Sequence, residues 1–174
     1  MTTSFKQLNV LVVHNSDSMR SSITEMLHAF GFKWVTGATD SETAVERLTL
    51  NHIDLIVADY DEDGLDGLHL TKMVRAAEGN LDPNLPIVLV SLSPDDDLMA
   101  QAVNAGANAV LGIPIVAKDF YSVICALLRD EQSQVRSSHY SGPNRRSDGN
   151  RSTHQKERRR DAILESFGMR VREA

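Results

Sequence analysis

A chain of 174 residues, 41% of them hydrophobic, has room for one domain of ordinary size with a proper core plus a short extension. Its one cysteine, Cys125, excludes an intramolecular disulfide and suits a reducing compartment. The formal net charge of −6 is divided unevenly: residues 1–130 carry 8 Lys+Arg against 18 Asp+Glu, whereas residues 131–174 carry 10 against 6. That split predicts an acidic domain over 1–130 and a basic tail over 131–174.

Leu8 to Val13 is a nearly continuous β-branched apolar run, as expected of a strand buried on both faces of a parallel sheet. Ile53 to Ala58, Leu85 to Val90 and Ala109 to Ile113 have the same character, and Lys33 to Ala38 is a weaker instance. Helical patterns lie between them. Ser16 to Phe30 places Met19, Ile23, Met26, Leu27 and Phe30 on one stripe, with Gly31 as its stop. Asp40 to Leu50 opens on a capping residue, and Leu68 to Ala77, Asp95 to Ala105 and Lys118 to Arg129 complete the set. Five β-α units with short connections predict a doubly wound α/β domain, with a parallel sheet and helices on both faces. Ligands of such sheets sit beyond the carboxyl ends of the strands.

After Asp130 the composition turns to Ser, Arg, Gln, Asn and His, which cannot bury enough surface to fold alone, so a flexible tail is expected. A short helix is expected near 155–172, with Ile163, Leu164 and Phe167 on one side. The N-terminus lacks the build of a signal peptide, and no apolar run approaches the roughly 20 residues of a membrane span. A cytoplasmic protein without a membrane partner is expected.

The strand ends converge on one edge. The first delivers His14, Asn15 and Asp17, the third Asp59, the fourth Ser91, and the fifth runs through Gly112 and Ile113 to Pro114. Asp54-Leu55-Ile56-Val57-Ala58-Asp59 followed by Asp66-Gly67-Leu68, then Leu85 to Ser91, then Ala105-Gly106-Ala107 with Pro114, together resemble the receiver domain of bacterial two-component response regulators. The resemblance covers roughly residues 8–130. It implies a flavodoxin-like (βα)5 three-layer sandwich with sheet order 2-1-3-4-5. It also implies a phosphorelay protein rather than an independent enzyme, with Asp59 as acceptor of a phosphoryl group from a histidine kinase or phosphotransfer partner. Ser91 would then hydrogen-bond the phosphate. A dianionic group that draws in a hydroxyl biases a two-state packing.

Three departures bear on that chemistry. The family's acidic pair, which holds Mg²⁺, is replaced by His14 and Asn15; its lysine is replaced by Ile113; its aromatic switch position is Val110. Mg²⁺ wants oxygen ligands, and removing one preorganised charge from such a site costs on the order of 10²–10³ in rate. Asp59, Asp61 and Asp17 are the carboxylates left to hold a metal, and Asp61, Glu62 and Asp63 form a very acidic loop. Two readings stay open: a phosphorylated signal carrier, and an atypical stand-alone receiver that binds partners without Mg²⁺-assisted phosphorylation. Both place the protein-protein output surface on residues 95–105 and 118–129, with a downstream protein or a second copy as partner. The basic clusters around Arg145-Arg146 and Lys156 to Arg160 raise nucleic acid as a further partner, though little aromatic interleaving supports base stacking. A flavodoxin-type cofactor binder lacks its glycine-rich loop here, and a hydrolase its nucleophile elbow.

Overall fold

Val10, Leu11, Val12 and Val13 are all buried, because β1 (Asn9–Val13) is an inner strand with parallel neighbours on both sides. The computed structural model describes residues 5–60 and 66–137. Besides β1 these hold β2 (Trp34–Ala38), β3 (Leu55–Asp59), β4 (Ile87–Ser91) and β5 (Ala109–Gly112), all parallel, in the order β2-β1-β3-β4-β5. Five helices connect or follow them: α1 (Asp17–Ala29), α2 (Ser41–Leu50), α3 (Asp66–Arg75), α4 (Asp96–Ala105) and α5 (Ala117–Ser137). The doubly wound sandwich and its strand order are those expected.

The two-residue period of a strand divides the apolar runs between two cores. Val10, Val12, Leu55, Val57, Val88 and Val90 join Ile23 and Leu27 of α1 and Phe120, Ile124 and Leu128 of α5. Leu11, Val13, Ile56, Ala58 and Leu89 turn to the opposite face, which α2, α3 and α4 cover with Ala44, Leu70, Val74, Met99 and Ala102. The β2 signal is weaker because this strand is an edge. Trp34 is exposed there, with the Lys33 Nζ 4.7 Å from its ring centroid.

Helix ends follow local chemistry. Ser16, Asp40 and Asp95 cap α1, α2 and α4 by accepting backbone N–H bonds from Met19, Thr43 and Leu98. The Thr43 N–H holds the Asp40 carboxyl below its ordinary value, so this contribution is present above the usual carboxylate range and is lost as acid titrates the folded state. Gly106 ends α4 with a φ of 94°, which only glycine adopts at little cost. Strands β3 and β4 begin two residues later than expected and α3 two residues earlier, and two helix ends also differ from the sequence expectation. Helix α3 stops at Arg75, just before Ala77 takes a positive φ. Helix α5 runs on to Ser137, through Asp-Glu-Gln-Ser-Gln, residues without a glycine or proline to stop it. The rest of the basic tail, including the helix expected near 155–172, lies outside the described residues.

At the amino end of the sheet, Arg75 ties three segments together. Its Nε donates to the Gly106 carbonyl at 2.8 Å, its Nη1 to the Pro83 and Leu85 carbonyls at 2.9 and 2.8 Å, and its Nη2 to Asn108 Oδ1 at 2.7 Å. Asn108 Oδ1 also accepts the Ile87 N–H at 2.9 Å, which fixes the start of β4. A lysine has one point-like ammonium and cannot span these acceptors. Arg75→Lys is therefore expected to destabilise the domain by about 2 kcal/mol in urea denaturation. Phe120→Ala, in the core under α5, is expected to cost about 3–5 kcal/mol in the same measurement.

Candidate functional site at the carboxyl edge

Strand register brings the polar residues to one edge. Val13 pairs with Ala58, so His14 lies beside Asp59; Asp59 pairs with Val90, and Ser91 with Gly112. His14, Asp59 and Ser91 thus lie at the same edge of the sheet. Ile113 donates its N–H to the Ser91 carbonyl at 2.8 Å, and the Ile113–Pro114 peptide is cis. Ile113 offers only a half-buried aliphatic side chain where the family resemblance calls for a lysine.

Asp59 sits against the first turn of α3. A Cβ at Gly67 would lie 2.1 Å from the Asp59 carbonyl oxygen and 3.1 Å from Leu89 Cδ2, so only glycine lets the helix begin this close. Thr71, fully buried, donates its hydroxyl to the Gly67 carbonyl at 2.6 Å and secures that turn. On the other side, Tyr60 gives its N–H to the Val90 carbonyl at 2.7 Å, and its hydroxyl donates to Gln101 Oε1 of α4 at 3.3 Å. The residue after Asp59 is therefore tied directly to α4.

His14 is the buried member of the first loop, and its Nε2 stands 3.5 Å from Asp59 Oδ2. Its other polar atoms are engaged. The backbone N–H donates to the Ala38 carbonyl at 3.1 Å, the carbonyl accepts from Arg20 Nη1 at 2.6 Å, and Nδ1 accepts the Ser16 N–H at 3.0 Å. Asn15 is exposed. Asp17 is paired with Arg20, and its side chain is 87% exposed. The Arg20 stem lies over Gly37, where a Cβ would come within 3.0 Å of Arg20 Cδ. Ser91 is buried, and its hydroxyl accepts the Ser93 N–H at 3.3 Å. Asp61, Glu62 and Asp63 lie outside the described residues.

As a donor set for Mg²⁺, the described residues fit poorly. That ion takes oxygen ligands in near-octahedral array, and here an imidazole nitrogen faces the carboxylate. Among the described residues, no three His, Cys, Asp or Glu side chains converge as a metal-binding group. Arg20 and Thr71 were not singled out from the sequence. The Asp17–Arg20 spacing of i, i+3 on a helix was a usable signal for the first. A threonine between apolar positions of α3 was the only hint of the second.

Residues 10–124 match the family model described as response regulator receiver domain, and the chain belongs to that family. It is a receiver domain of the CheY-like, two-component signalling class. Chemotaxis protein CheY of Pseudomonas aeruginosa is 30% identical over 111 residues, covering 64% of this chain and 88% of that protein. Chemotaxis protein CheY-3 of Vibrio cholerae is 28% identical over 112 residues, covering 64% and 85%. A two-component response regulator from Clostridium difficile superposes with a TM-score of 0.63 at 25% identity, over 72% of this chain and 98% of that one. No described helix is long and apolar enough to cross a membrane.

Adding a methyl group at the Gly67 contact forces backbone apart from backbone. Gly67→Ala is expected to destabilise by about 3 kcal/mol and to shift the amide resonances of Asp59 and Tyr60, both read in one heteronuclear NMR and denaturation series.

Proposed function

We propose that this receiver works as a phosphorelay-associated interaction module, in which Asp59 keeps the acceptor position but switching no longer depends on Mg²⁺-assisted phosphorylation. The observation that carries this reading is the buried imidazole of His14 at 3.5 Å from Asp59 Oδ2, where the resemblance calls for a metal-binding carboxylate. Ile113 at the lysine position removes the second source of positive charge. Phosphoryl transfer consists mostly of positioning and charge neutralisation, so losing both strikes at the transfer step itself.

Residues 95–105 and 118–129 supply the output surface in this proposal. Leu92 and Val116 stand exposed at 72% and 57% just ahead of those helices, apolar area of the kind that partner proteins cover. The partners are a sensor kinase or phosphotransfer protein upstream and a downstream protein, or a second copy of the chain, at this surface. The orthodox reading, a receiver switched by phosphate, draws on one observation of its own: Ser91 stands at the end of the strand next to Asp59.

Intact-mass spectrometry after incubation with acetyl phosphate and Mg²⁺ separates the two. The expected outcome is a chain without adduct, matching Asp59→Asn, at a dose that fully modifies a chain with an intact acidic pair. A phosphate adduct that Asp59→Asn abolishes establishes the orthodox reading instead.

A further inference from the structure

The four polar atoms of His14 have separate assignments. Its backbone N–H is given to Ala38 and its carbonyl receives Arg20. Its Nδ1 accepts the Ser16 N–H at 3.0 Å, and an imidazole nitrogen that accepts a hydrogen bond carries no proton. In a neutral ring the proton then resides on Nε2, the atom that faces Asp59 Oδ2 across 3.5 Å. A nitrogen that bears a proton has no lone pair to give a cation. Histidines that bind metals show the reverse arrangement, donating from the distal nitrogen so that the facing one is bare.

From this geometry we infer that His14 is a positioning residue for Asp59: its Nε2–H is a built-in donor that takes the place of the metal ion, so the pocket is closed to divalent cations. The inference rests on the receiver reading proposed above and gives its altered site a mechanism. The Ser16 N–H sets the tautomer, the Arg20 guanidinium anchors the His14 backbone, and the Nε2–H supports the Asp59 carboxylate. Arg20 serves twice, because it also holds Asp17, the carboxylate that opens α1. At 3.5 Å the donor contact is long, and sub-ångström motion of either side chain closes it to ordinary hydrogen-bond length.

The test is an NMR experiment on the full chain. Long-range ¹H–¹⁵N correlations report which imidazole nitrogen is protonated, and loss of the signals in His14→Gln assigns them. The expected result is an Nε2–H tautomer for His14, with Asp59 and Tyr60 amides that stay in place under millimolar Mg²⁺. His14→Asp is expected to gain Mg²⁺-dependent shifts at those amides, with binding at least about tenfold tighter than in the parent chain. His14→Gln, which keeps an amide donor but no carboxylate, should remain insensitive to Mg²⁺. An Nδ1–H tautomer, or Mg²⁺-driven shifts at Asp59 in the unaltered chain, overturns the inference even if His14→Asp fails to fold. Repeating the acetyl phosphate incubation in EDTA separates this inference from the function proposed above. An adduct that forms equally with and without Mg²⁺ supports the His14 assignment while overturning the phosphorylation-independent reading. An adduct that requires Mg²⁺ overturns both.

Discussion

The contact between the Gly67 backbone and the Asp59 carbonyl governs how the rest of this edge is arranged. Because α3 must start where β3 ends, the carboxylate of Asp59 is held at a fixed height above the sheet. The buried strands on either side then determine what surrounds it. Parallel strands closed on both faces leave no freedom to slip register, since a one-residue shift would turn every valine of β1 or β3 to the wrong core. His14 and Ser91 therefore flank Asp59 by consequence of the packing beneath them.

Within that frame, charge has been redistributed instead of simply lost. Here the His14 imidazole faces the acid, and the Arg20 guanidinium serves the loop backbone. A metal-held site is sensitive to ion supply, whereas a donor built into the chain is present whenever the chain is folded. The Tyr60–Gln101 bond extends the influence of this pocket to α4, so the setting of β3's end and the setting of that helix are mechanically joined.

Much of this was legible in the sequence. The inner strands announced themselves because burial on both faces demands unbroken apolar runs, and Asp59, Ser91 and His14 could be placed at one edge from strand order alone. Weak legibility had physical causes. Strand β2 is an edge strand only partly covered on both faces, so its pattern is diluted by Thr36 and Gly37. Arg75 resembles any surface arginine until the fold brings together acceptors 8 to 33 residues away. The role of His14 was hidden for a different reason, since the identity of its protonated nitrogen depends on where the Ser16 N–H points, a property of loop geometry.

The placement of Trp34 has a practical consequence for spectroscopy. It is the sole tryptophan of the chain and opens the edge strand, paired with Asn9 at the amino end of the sheet. Four strand positions, or about 13 Å, separate it from the level of Ala38 and Val13, and the edge that carries Asp59 lies beyond that. Its indole is solvated and shaded by an ammonium, which makes its emission a monitor of the edge strand. The quenching assay that a tryptophan beside the acid pocket would permit is thus optically blind in this molecule, and a steady fluorescence signal carries no information about occupancy at Asp59.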